Sequence, residues 1–278
     1  MEYNKERFKK VFFEFNNEYS YDFFIDIINW NHMDRPAPIM EQARVPGGNK
    51  DIFFSEGTYE NKVIDIECYI DIRHDIKRKD IHIKRIKQWL NLDYKYRELK
   101  FSDDEGYYEA ICVSNMVIDE VVEGLYRTII SFSCNPYKLK ASKTYSLKSG
   151  ETIYDTNEGT VIAPFKLKLK FPINSTMPDF SIVIIQKDET STSVLNTYTY
   201  YKYSGPPEKT TEVEILSSDY KIIGKNANQE KSNITNISKG YEFPYAPLGK
   251  FGIRLTIDEE CQEGHKPTLE ATFIEMEI

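Results

Sequence analysis

Between Lys62 and Ile72 the sequence alternates without a break. Ile64, Ile66, Cys68, Ile70 and Ile72 fall on one side, and Asp65, Glu67, Tyr69 and Asp71 on the other. Successive side chains of a β-strand point to opposite faces, so this run predicts a strand with one buried face. The other face is left to water or to an interface. The strand closes a block that begins at Asp34 and holds Arg35-Pro36-Ala37-Pro38, Val45-Pro46-Gly47-Gly48-Asn49 and Tyr59-Glu60-Asn61-Lys62. Pro36 and Pro38 have no N–H to donate and interrupt regular pairing. Either glycine supplies the positive φ of a turn. Ile52 to Ser55 is expected to pair with Lys62 to Ile72 around Glu56-Gly57-Thr58. Such a block suits a shaped binding edge better than an active-site pocket.

The rest of the chain reads as strands and turns. Two short strands flank a turn at Asn16-Asn17-Glu18, and Tyr21 to Ile25 opens the next element. Glu98 to Ser102, Tyr107 to Val113 and Leu125 to Cys134 follow as strands. One helix is expected over His82 to Leu92, with Asp80 as its cap, Ile83, Ile86 and Leu90 on one stripe, and Trp89 beside it. In the second half, Phe165 to Phe171 and Gly252 to Asp258 alternate cleanly. Phe180 to Gln186, Asn196 to Tyr203 and Glu212 to Leu216 are further short strands, so an antiparallel sandwich is expected there. No repeat or long low-complexity segment appears. The fold class is mainly β, all-β with one helix, consistent with 14% aromatic residues. At 278 residues two domains fit better than one, with the boundary in the polar stretch after Tyr137: residues 1–141 and 142–278.

The net charge of −8 argues against sequence-reading DNA binding, which needs concentrated Lys and Arg. An acidic wall repels phosphates and is compatible with passive passage of DNA. The basic run Arg73 to Lys87 reads as a wet loop and helix face. The N-terminus lacks a signal peptide's apolar core, and no run approaches the roughly 18–20 apolar residues of a membrane span. The sequons at Asn174, Asn233 and Asn236 are then incidental. Cys68, Cys112, Cys134 and Cys261 form no C-x-x-C pair and are read as reduced. Asp103, Asp104 and Glu105 lack EF-hand spacing and read as a solvated turn. His32, His74, His82 and His265 are scattered, without zinc spacing. No nucleophile elbow or phosphate-binding glycine loop is present. Neither a metal nor another cofactor is expected.

An ordered set of short motifs then takes on meaning. It runs Ser20-Tyr21-Asp22-Phe23, Arg35-Pro36-x-Pro38, Pro46-Gly47-x-Asn49 and Gly57-x-Tyr59-Glu60-Asn61-Lys62. It continues with Ile86-Lys87-x-Trp89-Leu90, Leu99-x-Phe101-Ser102-Asp103-Asp104, Tyr107-Tyr108-x-Ala110 and Ser133-Cys134-Asn135-Pro136-Tyr137. This set resembles the distal tail protein (Dit) family of long-tailed bacteriophages and prophages over roughly residues 10–137. A looser likeness follows in Gly159-Thr160-x-x-Ala163-Pro164, Gly240-x-x-Phe243-Pro244 and Leu248-Gly249. Gly48 departs from the bulkier or basic residue expected at its place.

The resemblance implies a virion structural protein without enzymatic activity. It would form a ring, a hexamer by the family's pattern, joining the tail tube to the tip or baseplate, with a channel through which DNA passes unbound. The N-terminal domain would be a sandwich- or barrel-like ring domain with a long hairpin and one helix. The C-terminal domain would be a galectin-like sandwich facing outward, here too short for an inserted carbohydrate-binding module. Partners would be further copies, the tube protein and tip or baseplate proteins, in a tail assembled in the host cytoplasm without membrane insertion. Candidate ring-interface residues are Arg35, Pro36, Pro38, Pro46, Gly47, Tyr59, Asn61, Asp65, Glu67 and Asp71, within a scaffold of residues 34–62 and 99–110. Two readings from other classes stand beside this one. One is a module that attaches to host cell-wall saccharide through Tyr198, Tyr200, Tyr201 and Tyr203. The other is a cell-wall hydrolase using a carboxylate pair.

Overall fold

The structure is a computed structural model. It describes residues 10–44, 46, 50–91, 95–171, 178–187, 191–201, 210–226, 228–238, 242–257 and 267–278. Two compact units emerge: residues 1–140 with Ile278, and Ala141–Glu277. The described part is mainly β, with one α-helix.

The first unit contains β1 (Phe13–Phe15), β2 (Glu18–Tyr19), β3 (Ile25–Trp30), β4 (Pro38–Arg44), β5 (Asp51–Tyr59) and β6 (Lys62–Asp71). The helix α1 (Lys79–Leu90) follows, then β7 (Arg97–Phe101), β8 (Tyr108–Cys112), β9 (Asp119–Val122) and β10 (Leu125–Cys134). Eight of these strands make one sheet in the order β2-β1-β7-β8-β10-β6-β3, with β9 paired to β10. The alternation that marks β6 is matched by β10. Ile64 faces Phe132, Ile66 faces Ile130, Cys68 faces Thr128 and Ile70 faces Tyr126, all buried. A register slip of one residue would turn every one of these side chains to the opposite face, so the register is fixed by the core.

The helix covers this face through Ile86, Trp89 and Leu90. Trp89 stacks on Phe23 at 4.1 Å and on Phe13 at 5.6 Å between ring centroids. Its indole Nε1–H donates to the Phe15 carbonyl at 2.9 Å, so its one polar group is satisfied in the core. The helix begins at Lys79, three residues before the expected start. Asp80 lies inside its first turn rather than capping it, and Arg78 at the cap position makes no side-chain cap bond. An acidic side chain in the first turn still suits the helix dipole. Tyr21 to Phe23 belong to a 3-10 turn, Ser20–Phe23, that precedes β3.

The expected pairing of Ile52–Ser55 with Lys62–Ile72 is corrected. β5 runs on through Glu56-Gly57-Thr58 and pairs antiparallel with β4, while β6 lies between β10 and β3. Gly57, at φ +74°, lies in the bulge of β5 opposite the irregularity between Pro38 and Met40, where the strand kinks without reversing. The turn that reverses the chain joins β4 to β5, and there Gly47, Gly48 and Asn49 lie outside the described residues. Strand β9 had no expectation attached to it.

The polar stretch after Tyr137 is also a strand. β11 (Lys138–Lys148) begins in the first unit and continues into the second. Leu139 is bridged to Tyr107 by two backbone hydrogen bonds of 2.8 Å. Gly106 beside it has φ +100°, and a Cβ there would sit 2.6 Å from the Leu139 carbonyl oxygen, so only glycine fits this turn.

The second unit continues with β12 (Thr152–Asn157), β13 (Ala163–Lys170), β14 (Phe180–Lys187), β15 (Thr192–Tyr200), β16 (Glu212–Leu216) and β17 (Lys221–Lys225). It ends with β18 (Lys231–Asn233), β19 (Tyr245–Ala246), β20 (Gly249–Ile257) and β21 (Thr268–Glu277). One sheet runs β11-β21-β13-β16-β17-β18, with β19 on β13, and the other β12-β20-β14-β15. Inward residues of both sheets join one apolar core, in which Phe165, Phe251 and Phe273 meet edge to face at 5.4–5.9 Å. On the opposite face of the first sheet, Lys225 Nζ reaches Glu212 at 2.8 Å and Glu214 at 2.9 Å. Lys168 and Lys166 add contacts of 3.3 Å to the same two carboxylates. Burial pushes both carboxyls up. The hydrogen bonds and charge of Lys225, with those of Lys168 and Lys166, outweigh it and hold both below the ordinary range.

Two outcomes follow from this packing. Trp89→Ala is expected to lower the unfolding free energy by about 3–5 kcal/mol, read from chemical denaturation. The lowered Glu212 and Glu214 contribute stability that is complete above the unfolded carboxylate value of about 4.3 and is lost as pH falls through their folded values. Lys225→Met is expected to lower stability at neutral pH and to flatten that acid limb in a pH series of denaturation midpoints.

Candidate assembly surface

The ribbon formed by β4 and β5 is the one described pair of strands outside the three larger sheets. None of its residues joins either apolar core. Every residue of β4 is exposed. Phe53 is 59% exposed, Phe54 55% and Met40 51%, with Ile39 and Ile52 also open. Adjacent strand residues face opposite ways, so Ile39 with Met40 and Phe53 with Phe54 place apolar groups on both faces. An isolated two-stranded ribbon is at best marginal in water, and clustered exposed apolar groups mark an interaction surface.

The base of the ribbon is fastened to the first unit. Glu60 N–H donates to the Ala37 carbonyl at 2.9 Å, which clips the two strands where they leave the body. Arg35 donates to the Tyr59 hydroxyl at 3.3 Å and lies over its ring, 5.8 Å from the centroid. Tyr59 meets Tyr137 edge to face at 6.2 Å. Pro36 is buried, while Pro38 and Pro46 are exposed, Pro38 as the first residue of β4, where its missing N–H does least harm. Asn61 donates to the Tyr96 hydroxyl at 3.0 Å and to Ser133 Oγ at 3.4 Å. Gly47 lies outside the described residues.

The candidates on β6 divide. Asp65 is exposed, accepts from Ser131 Oγ at 2.6 Å, and borders a polar groove with Ser114, Asp119, Arg127 and Thr128. Glu67 pairs with Arg127, whose Nε–H donates at 2.8 Å. Asp71 is corrected: it is 2% exposed, on neither a wet nor an open face, and Arg73 clamps its carboxylate with bonds of 2.9 and 2.6 Å. Asp71 is still held in the sheet, opposite Leu125 and with its N–H donating to the Phe24 carbonyl at 3.0 Å, and alternation alone does not tell that its side chain is covered there. Sequence reading thus found the ribbon's base and missed its apolar body. The signal was present, since consecutive apolar residues at 39–40 and 52–54 leave no polar face to meet water.

A second groove runs along α1. It measures about 520 Å³ and is lined by Lys79, Asp80, Ile83, Lys84, Lys87, Gln88, Asn91 and Tyr126. Elsewhere, Asp104 is held by Lys138 at 3.0 Å, and no cluster of His, Cys, Asp or Glu among the described residues could hold a metal. Among those residues no helix is long and apolar enough to cross a membrane. Cys68, Cys112 and Cys134 are buried free thiols, with burial pushing Cys68 and Cys134 up to about 12. Cys261, His265 and the Asn174 sequon lie outside the described residues.

The described tyrosines of the alternative saccharide reading do not share one open face. Tyr200 is fully buried and stacks on Phe180 at 4.9 Å, and Tyr198 is buried in the same core. Only Tyr201 is exposed, and Tyr203 lies outside the described residues.

No protein-family model matches the chain, and no curated protein matches it in sequence. Among solved structures, the Dit protein of SPP1 aligns with a TM-score of 0.68 and 11% identity, covering 96% of this chain and 98% of that one. The chain shares the fold of SPP1 Dit. At that coverage the likeness to SPP1 Dit takes in both compact units. Chains of the phage p2 baseplate in its activated conformation also align at 7% identity. Their TM-scores are 0.41 with strontium and 0.39 with calcium, over 94% and 90% of this chain.

The burial pattern separates two neighbouring tyrosines. Tyr200→Ala is expected to cost about 3–5 kcal/mol of stability, whereas Tyr201→Ala stays within about 0.5 kcal/mol of the parent, both read by thermal and chemical denaturation.

Proposed function

We propose that this protein is a structural hub at the distal end of a phage tail, joining the tail tube to the tip or baseplate. The observation that carries the reading is the full-length likeness of fold to SPP1 Dit, a protein described as a paradigm of the hub of the adsorption apparatus in phages infecting Gram-positive bacteria. The ribbon supports it independently, because apolar groups open on both faces of two strands call for burial against another chain.

In this reading the first unit builds a closed ring, six copies by analogy with the family, around a channel that passes DNA. A closed ring of identical chains uses two different, complementary patches on each copy. Residues 34–62 supply one, and the candidates Arg35, Tyr59 and Asn61 fix that patch to the body. Asp65 and Glu67 stand on the exposed face of β6, where acidic groups would repel a passing phosphate backbone rather than bind it. The two-sheet second unit is a galectin-like sandwich that faces outward and offers docking sites to tip proteins. The role is mechanical and uses no bond chemistry, with assembly completed in the host cytoplasm.

Electron microscopy of the purified protein is expected to show rings with six-fold symmetry and a central opening. Tails made without the protein are expected to lack an organised tip. Normal tips on such tails would overturn the reading.

A further inference from the structure

A cluster of buried titratable groups lies at the foot of the ribbon. His32 stands between β3 and β4 and is 2% exposed. Its ring stacks on Phe101 at 4.6 Å and meets Trp30 edge to face at 4.9 Å. Both ring nitrogens are buried, and neither has a hydrogen-bond partner among the described residues. Native structures rarely leave buried polar atoms so, and each case calls for an explanation. The His32 carbonyl, by contrast, collects two donors, Lys62 Nζ and the Tyr108 hydroxyl, the latter at 3.1 Å. Lys62 is the first residue of β6 and is itself buried. Beside His32, Asn31 Oδ1 accepts from the Asp65 N–H at 2.8 Å, and the Asn31 carbonyl accepts from the Asp34 N–H at 3.2 Å. Residues 31 and 32 thus tie the segment that enters the ribbon to the strand that leaves it.

We propose that His32 is a pH-sensitive catch, which holds the foot of the ribbon closed when neutral and loosens it when protonated. A neutral imidazole is at ease in an aromatic slot, whereas an imidazolium there has lost its water. Asp103 and Asp104, in the turn after β7, favour the proton, and Lys62 on β6 and Lys138 on β11 oppose it. Tyr108 on β8 ends at the same carbonyl, and Cys134 on β10 and Asp34 lie near Lys62. Burial outweighs the two carboxylates and pushes the imidazole below the ordinary histidine range. The nearest counter-charge, Asp103 Oδ1, is 3.7 Å from Nε2, too far for a hydrogen bond. Closing that gap draws the ring off Phe101 and pulls on the carbonyl that holds Lys62, while the new charge repels the Lys62 ammonium. The unfolded chain takes up this proton near pH ~6.5 and the folded chain at lower pH. The stability that neutral His32 contributes is therefore complete above about 6.5 and is lost as pH falls below it. The catch lies within one chain and needs no ring.

Hydrogen exchange of the full chain, read by mass spectrometry, tests this. The Asp34, Glu60 and Asp65 amides have their acceptors at the foot of the ribbon. In the parent they are expected to open at least about tenfold more at about pH 5.5 than at about pH 7.5, after correction for intrinsic rates, as one unit of histidine shift implies. The strands of the second unit are expected to show no such change. Exchange of the imidazole C2 hydrogen is expected to give His32 a midpoint below about 6.5. His32→Phe keeps a ring on Phe101 and removes the proton, so opening of the foot is expected to lose its pH dependence. His74 and His82, which pack on Phe24, are untouched by that variant and serve as the control. Asp103→Asn removes the nearest carboxylate from an exposed position and is expected to move the His32 midpoint further down. Constant protection at the foot across that pH range would overturn the inference. So would a His32 midpoint at or above about 6.5, or a pH dependence that survives in His32→Phe. Should His32→Phe fail to fold, the two parent readings and Asp103→Asn decide the matter. The hub reading is decided separately, by the tips of tails that lack the protein.

Discussion

Strand β6 is the constraint on which the first unit depends. It lies between β3 and β10, and its inward residues Ile64, Ile66, Cys68 and Ile70, with Ile72 just past its end, are all fully buried. Each meets a buried partner across the sheet or under the helix, so the strand cannot slide by one residue without exposing the whole set. Trp89 then fixes the helix over this face by stacking on rings from two segments and bonding to a third backbone position. With β6 held on both sides, no free edge of it remains for β5 to pair with. The segment before it must leave the body, and it does so as a ribbon.

That exclusion accounts for the exposed apolar side chains better than any local preference does. β5 has strand-forming residues on both faces but no sheet to join, and β4 is its one partner. Its clip to the body is short: the Glu60 to Ala37 hydrogen bond, and the contacts of Arg35, Tyr59 and Tyr137. A rigid root with an apolar blade is what a docking element requires, since little conformational freedom is left to lose on binding.

The strands were legible in the sequence wherever one face is buried and the other wet: β6, β10, β13 and β20 are all marked by alternation. The helix was legible from Ile83, Ile86 and Leu90, but its start was not, because Asp80 resembles a cap and in fact sits in the first turn. β11 was hidden for a different reason. Its residues are mostly polar, and of its side chains only Leu147, with Tyr145 packed beside it, reaches the apolar core. The ribbon misled in a third way. A strand signal reports that a strand forms and not which strand it meets, and that choice was made at long range by β10 occupying β6. The tyrosine group shows the same limit, since Tyr200 and Tyr201 are neighbours with opposite fates that depend on which side of β15 faces the core.

The first unit's main sheet finishes its margins in different ways from the ribbon. At one margin β2 is two residues long, and at the other β3 carries an irregularity between Ile27 and Asn29. Both devices discourage another chain from adding a strand. The ribbon has one such irregularity, between Pro38 and Met40 near its base, and the outer margins beyond it leave rows of main-chain N–H and C=O groups unmatched by any described strand. Contacts made through the main chain are indifferent to which side chain each position carries. Backbone held through such contacts can keep its shape while its sequence drifts, and this chain keeps the fold of SPP1 Dit at 11% identity.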